Sequence, residues 1–229
     1  MLVTLSACLL GFANGVRHAL EPDHLAAVST FVAGERSPRA SVRYAAAWGA
    51  GHAAMLLVAG GALAAFRAEL PAAASDAFEL VVAVVLVALG VRGLAQAARG
   101  GRAGASFTHA HGALEHTHGG PPDHVHVNSW TLARLPFVIG LVHGLAGSGA
   151  LAALVASHVS STVVAISFIG IYGVGAAFGM AVLAGVLGWP LARLARAPRV
   201  MPVLLGVSAC ASLVVGVVWA VPILARLVA

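Results

Sequence analysis

The chain contains no lysine, and only 9% of its residues are charged. A soluble globular protein carries about 25% charged residues. Because 60% of the residues are hydrophobic, the composition indicates an integral membrane protein that lies in a lipid bilayer. The lack of lysine excludes a Walker A motif, and no G-x-S-x-G or H-E-x-x-H motif is present. We therefore expect a transporter and not an enzyme.

Cysteine is nearly absent as well. Cys8 and Cys210 lie in apolar segments at opposite ends of the chain and form no C-x-x-C motif. Both are expected to be packed small hydrophobic residues. A membrane thiol-disulfide electron carrier would need paired reactive cysteines, so it is the least favoured alternative. A cleavable signal peptide is not expected, because no basic residue precedes the first apolar segment.

Six apolar spans can be drawn, which predicts an all-α integral membrane protein of about six transmembrane helices. The 27 glycines would let these helices pack closely. The spans lie at roughly residues 2–33, 44–66, 77–98, 132–156, 160–190 and 200–226.

All 13 basic residues are arginines, and ten of them follow or border the connections after spans one, three and five. Only Arg67 and Arg226 lie on the opposite side. The positive-inside rule then places those three connections in the cytoplasm and both termini outside, in a bacterial inner membrane. Because the arginines flank spans, no nucleic-acid partner is expected. The ten are Arg36, Arg39, Arg43, Arg92, Arg99, Arg102, Arg134, Arg193, Arg196 and Arg199.

One segment of the first span is unusually polar: residues 17–24 read Arg-His-Ala-Leu-Glu-Pro-Asp-His. Such groups are costly in hydrocarbon unless they are paired or bind something, which makes the segment a functional site by default. On an unbroken helix, His18, Asp23 and His24 would point in different directions. We expect the helix to break near Pro22, which lacks an N–H and disfavours helical geometry in the residue before it. The opened turn would line a cavity.

Imidazole and carboxylate ligands together suit Zn²⁺, Ni²⁺, Co²⁺ or Cu²⁺. His52 and His143 lie in other spans and are candidates to join the cluster. The alternative is an ion pair of Arg17 with Asp23 or Glu21, with the histidines only hydrogen-bonded.

Asn14 precedes His18 by four residues. Its amide is expected to orient that imidazole from behind, or equally to help pack helices. Arg17 and Glu21 are further candidates to surround the ligands.

The two halves of the chain resemble each other. Residues 18–28 are similar to residues 143–154, and Gly-Ala-Gly at 49–51 is similar to Gly-Val-Gly at 173–175. Three spans per half is an odd number, so the repeats must be inverted, as in many secondary transporters whose site lies at mid-membrane. Chance similarity between alanine-rich helices is the alternative. The predicted units are a first repeat (1–98), a His-rich cytoplasmic loop (99–131) and a second repeat (132–229).

The loop carries three H-x-H pairs among glycines and prolines. Such a flexible tract is typical of weak, multivalent metal capture, and an inert linker is the alternative. The histidines are His109, His111, His116, His118, His124 and His126.

The H-x4-D-H pattern of residues 18–24 resembles the signature of nickel/cobalt transporter family permeases, and Gly51-His52 is similar to that family's second motif. Residues 17–24 and 140–148 are particularly similar to the branch of urease-accessory nickel permeases. The resemblance covers all six spans. It departs from the larger permeases in having no acid at 144–150 or 178–185, which leaves His143 as the second-half ligand candidate.

The resemblance implies uptake of Ni²⁺, or Co²⁺, that supplies nickel enzymes such as urease. The expected ligands are His18, Asp23, His24, His52 and His143. The ion is the transported substrate, no cofactor is tightly bound, and a cytoplasmic metallochaperone is a candidate partner. No oligomeric state is predicted. A metal exporter on the same scaffold is the main alternative.

Overall fold

The computed structural model describes residues 2–33, 38–98, 107–111, 114–118, 124–127, 130–159, 161–194 and 200–228. Its body is helical, as the sequence predicts, with seven helices among these residues. They are α1 (Leu2–His18), α2 (Pro22–Ala33), α3 (Pro38–Phe66), α4 (Ala72–Ala98), α5 (Arg134–His158), α6 (Thr162–Leu194) and α7 (Val200–Val228). Within α3, Leu56–Gly60 is a π-helical turn.

Four helices of the described chain contain segments long and apolar enough to cross a membrane. The start of α5, Arg134–Gly147, is a shorter apolar helix. Several valines on the outer surface of α7 are exposed. Exposure of so many apolar side chains is unfavourable in water but favourable in lipid. The protein is therefore a membrane protein, while the count of six spans stays a prediction. The four segments are Pro38–Phe66, Ala72–Ala98, Thr162–Pro190 and Pro202–Arg226.

The helix breaks where the proline predicts. After α1 ends at His18, the Leu20 N–H donates to the Arg17 carbonyl at 2.9 Å and the Glu21 N–H donates to the His18 carbonyl at 3.0 Å. These short-range bonds close one tight turn. Pro22 then takes the first position of α2, where a missing N–H costs little because the first N–H groups of a helix have no intrahelical partner.

Helix α1 packs against α6 with backbone touching backbone. A Cβ added to Gly15 would meet the carbonyl oxygen of Tyr172 and lie 2.8 Å from the Ala176 nitrogen. From the other side, a Cβ on Gly175 would meet the carbonyl oxygen of Phe12. Each helix thus supplies one glycine to this crossing, and any side chain there would push the helices apart.

Helices α3 and α5 cross in the same way. A Cβ on Gly51 would meet the carbonyl oxygen of Phe137, and one on Gly140 would meet the carbonyl oxygen of Trp48. The close packing predicted for the Gly-x-Gly pair of α3 is confirmed, with Gly51 at this crossing and Gly49 against Ala177 of α6.

Short antiparallel hairpins occur in the connection between α4 and α5. β1 (Phe107–His111) pairs with β2 (Leu114–His118), and β3 (His124–Val127) pairs with β4 (Trp130–Ala133). The composition predicts a flexible tract here, yet histidine alternating with Thr, Ala and Val also has the two-residue period of a strand. The six loop histidines lie on these strands, and their side chains are outside the described part of the structure.

Candidate metal site

The five predicted ligand residues converge from four helices. His18 ends α1, Asp23 and His24 begin α2, His52 lies on α3 and His143 lies on α5. Four of the five are buried, and the His18 side chain is 12% exposed. Because the helix breaks before Pro22, His18 on one side of the break and Asp23 and His24 on the other can face the same point.

These residues form two overlapping groups that share His24. The three-histidine group is His18, His24 and His52, and the mixed group is Asp23, His24 and His143. Within each group, all ligand atoms lie within 4.8 Å of one another. Each group therefore has the ligand number that a metal site requires.

The contacts within the three-histidine group are short. His18 Nε2 lies 3.2 Å from His52 Nε2, and the rings of His18 and His24 are 4.4 Å apart between centroids. His18 Nδ1 lies 3.0 Å from Glu21 Oε2. A carboxylate on one ring nitrogen fixes the ring and leaves the other nitrogen directed at a metal, a common arrangement around metal-binding histidines.

Asp23 is the centre of the mixed group. His143 Nε2–H donates to Asp23 Oδ2 at 2.5 Å, and His24 Nδ1 lies 3.0 Å from Asp23 Oδ1. The Asp23 side chain is only 5% exposed. A carboxylate this deeply buried needs a cation or several donors nearby, since an isolated buried charge is costly.

Several polar atoms of the site have no hydrogen-bond partner within the described part of the chain. They include Nε2 of His24 and Nδ1 of His52. Buried polar atoms are almost always partnered in folded proteins, and each exception calls for an explanation. A bound ion would satisfy these nitrogens.

The candidates around the ligands have different roles. Glu21 orients His18, as described, whereas the Asn14 amide donates to the Leu10 carbonyl of its own helix at 2.9 Å. Through this bond, Asn14 contacts the backbone of its own helix and does not orient His18 as expected. Arg17 forms no ion pair with Asp23 or Glu21, so the alternative of a purely structural ion pair is not found among these described residues.

Two aromatic residues line the site without having been predicted. The Trp48 ring stacks on His24 at 5.4 Å between centroids and meets His143 edge-on at 5.5 Å, and Tyr172 lies 5.5 Å from His18. Trp48 precedes His52 by one helical turn, so its spacing was the available signal. Tyr172 follows from no motif, because it reaches the site only through the α1–α6 crossing.

A glycine fixes the distance between the two helices that carry His52 and His143. A Cβ on Gly144 would lie 2.5 Å from the His52 carbonyl oxygen. The neighbour of one ligand candidate thus contacts the backbone of the other, which holds the two helices close together at His52 and His143.

The chain is 30% identical to the urease accessory protein UreH of Bacillus sp. (strain TB-90) over 219 residues, which cover 93% of this chain and 90% of that protein. The chain belongs to the UreH family of urease accessory proteins. This confirms the relationship to urease accessory proteins that residues 17–24 and 140–148 predict. The nickel-permease branch stays a prediction. No protein-family model matches the chain. No solved structure matches it.

Proposed function

We propose that this protein is a permease that moves Ni²⁺ inward across the bacterial inner membrane, with Co²⁺ as the alternative ion. The observation that carries the proposal is the convergence of four imidazoles and one carboxylate, from four helices, in the buried interior of a membrane protein. Ionisable groups at such a place mark an ion pathway more often than a structural pair.

The ligand chemistry supports a divalent first-row ion. Imidazole and carboxylate suit Ni²⁺, Co²⁺ and Zn²⁺, and neither cysteine belongs to the two groups. Membership of a urease accessory family favours nickel, since urease is a nickel enzyme. The ion would be cargo delivered towards such enzymes, through a metallochaperone or directly.

An inverted repeat of two three-span halves accounts for the helix packing. α1 crosses α6 through Gly15 and Gly175, while α5 crosses α3 through Gly140 and Gly51. Because the alignment of the halves pairs Gly15 with Gly140 and Gly175 with Gly51, the two crossings are equivalent. Such reciprocity supports common ancestry over chance similarity.

The remaining pairs of equivalent helices support the same symmetry. On α3 and α6, a Cβ on Gly49 would contact Ala177 at 2.8 Å, and one on Gly173 would contact Ala53 at 3.2 Å. Gly49 and Gly173 are 124 residues apart, and so are Ala53 and Ala177, as the symmetry requires.

Helices α4 and α7 repeat the pattern with a difference of 126. A Cβ on Gly90 would lie 2.8 Å from the Ala209 carbonyl oxygen, and one on Gly216 would lie 2.8 Å from the Ala83 carbonyl oxygen. Each contact is therefore matched by its reciprocal. In inverted-repeat transporters the substrate site lies where the halves meet, and here His18 and His143 are the equivalent residues of the two halves.

The arginine distribution supports cytoplasmic connections after α2, α4 and α6. Both termini would then lie outside, and the His-rich loop would face the cytoplasm. The loop would hold ions close to the inner mouth of the pathway.

The test is uptake of radioactive Ni²⁺ into proteoliposomes that contain the full chain, with Co²⁺ and Zn²⁺ as competitors. We expect Asp23→Asn to lower uptake by at least about tenfold, because it removes the negative charge that offsets the charge of the ion. Mutation of a residue that only hydrogen-bonds to a metal ligand already costs about 10–100-fold in metal affinity or activity. Ser212→Ala, which truncates another buried polar side chain, is the control. Uptake by Asp23→Asn equal to that of the parent chain would refute the metal site.

Acid pH should lower uptake, because a protonated imidazole cannot bind a metal. In cells, expression of an importer raises radionickel content, whereas an exporter on the same scaffold lowers it. The sign of that change decides the direction.

A further inference from the structure

On the basis of the proposed transport, we propose that the ion occupies two successive positions in this centre and passes between them across the ring of His24. The first position is the three-histidine group and the second is the mixed group. The proposal explains why five converging ligands do not form one site.

The spread of the ligands argues against a single position. Two ligand atoms on one ion lie at most about 4.2 Å apart, twice a metal–nitrogen bond of about 2.1 Å. Among the described residues, no group within 4.8 Å contains all five ligands, and His18 and Asp23 fall into separate groups. One ion therefore cannot bind all five in this arrangement.

His24 has the geometry of a shared ligand. Its two ring nitrogens point in diverging directions, so each can address a different ion position. Nδ1 lies 3.0 Å from Asp23 Oδ1, on the side of the mixed group. Nε2 is left for the three-histidine group and has no hydrogen-bond partner among the described residues.

Two ligands of the three-histidine group, His18 and His52, are spaced for one ion. With metal–nitrogen bonds of about 2.0–2.1 Å, the 3.2 Å between His18 Nε2 and His52 Nε2 corresponds to an angle of about 100° at the metal. Nδ1 of His18 is occupied by Glu21, so Nε2 is its metal-facing atom.

Exposure gives the two positions an order. The three-histidine group is accessible only at His18, whose side chain is 12% exposed beside the 48% exposed Glu21, while its member His52 is fully buried; in the mixed group, Asp23 and His143 are each 5% exposed. In the predicted first span, an exposed carboxylate such as Glu21 would face a water-filled cavity, so the ion would enter past His18 and reach the three-histidine group first. The Asp23 carboxylate then attracts it to the deeper position.

The experiment uses the full chain in lipid nanodiscs, titrated with Co²⁺ and followed by visible absorption, which reports the ligand set. His52→Ala removes a ligand from the first position only, and His143→Ala removes one from the second only. Beyond the ions held weakly by the His-rich loop, each should still bind one Co²⁺ per chain at this centre, with spectra that differ from each other, and each should lower uptake at least tenfold. The double variant should lose at least tenfold in affinity relative to either single variant.

Two results would overturn the two-position scheme: identical spectra from both single variants, or complete loss of Co²⁺ binding in either. His52→Gln and His143→Gln, measured in parallel, keep side-chain volume and guard against loss of folding, and Ser212→Ala should match the parent chain. A parent chain that binds Co²⁺ in two modes but transports no ion would refute the proposed transport and leave the two positions standing. A parent chain that transports the ion but shows a single type of Co²⁺ spectrum would refute the two positions and leave the proposed transport standing.

Discussion

In the proposed inverted repeat, the two halves of the molecule share a scaffold but not a site. Their helices cross through equivalent glycines, at Gly15 and Gly175 in one crossing and at Gly140 and Gly51 in the other. The ligands are distributed unequally: the first half supplies four and the second half supplies His143 alone. Close backbone packing could be kept in both halves after a duplication, while ligands were needed in one place.

The helix break explains the unequal distribution. The first span opens between His18 and Pro22, whereas α5 runs without a break from Arg134 to His158. An opened turn lets residues on both its sides face one point, which a continuous helix forbids. His143 nevertheless joins the centre across the boundary between the halves, so relative motion of the halves would move His143 relative to the other four ligand candidates.

The largest effect is expected from side chains placed at the equivalent crossings. Gly15→Ala and Gly140→Ala should each destabilise the protein by about 1–3 kcal/mol or more, because the new Cβ would overlap a backbone carbonyl that cannot move away. Melting temperature and membrane abundance measure this, and Gly61→Ala is the control because no atom lies within 4 Å of its Cβ position. Destabilisation at only one of the two crossings would break the equivalence of the halves.

The equivalent histidines should differ in function. We expect His18→Ala to abolish Ni²⁺ uptake and His143→Ala to lower it by about tenfold, because loss of His143 leaves Asp23 to balance the charge of the ion. Both variants should insert normally, since removing a polar group lowers the hydrocarbon penalty. Equal residual uptake in the two variants, at matched abundance, would contradict this asymmetry.

The smallest effect concerns the connection between the halves. Deleting residues 105–127 should lower the rate of net Ni²⁺ uptake several-fold at low ion concentration and leave the rate at high concentration unchanged, because a cytoplasmic cluster binds ions as they arrive and slows their return without forming the path. Net uptake rates over a range of ion concentrations measure both quantities. If a correctly inserted deletion variant transported no ion at any concentration, the connection would belong to the pathway.

The fold was predictable where the physics is local. Long apolar runs give the helices, and Pro22 gives the break, because both depend on neighbouring residues in the chain. The hairpins of the connection were not predicted, since the composition of that stretch obscures the two-residue alternation of histidine with Thr, Ala and Val. The four membrane-spanning segments follow from hydropathy alone.

The members of the site were predictable, but its division was not. His18, Asp23 and His24 stand out because polar groups are rare in apolar spans. Their separation into two groups depends on where α3 and α5 place His52 and His143, which is a property of the packing. Asn14 shows the limit of spacing arguments, because an amide four residues before His18 is equally able to bond the preceding turn of its own helix.

The π-helical turn Leu56–Gly60 divides α3 into two parts that face different surroundings. Its bonds enclose one residue more than those of an α-helix, so everything beyond it is rotated by about 100° relative to a continuous α-helix. The part of α3 before the turn faces the candidate metal site through His52, and the part after it, Gly61–Phe66, ends with Phe66 82% exposed. Substitutions at exposed positions of this end, such as Phe66, can therefore adapt it to a different lipid environment without disturbing His52, which lies before the π-helical turn.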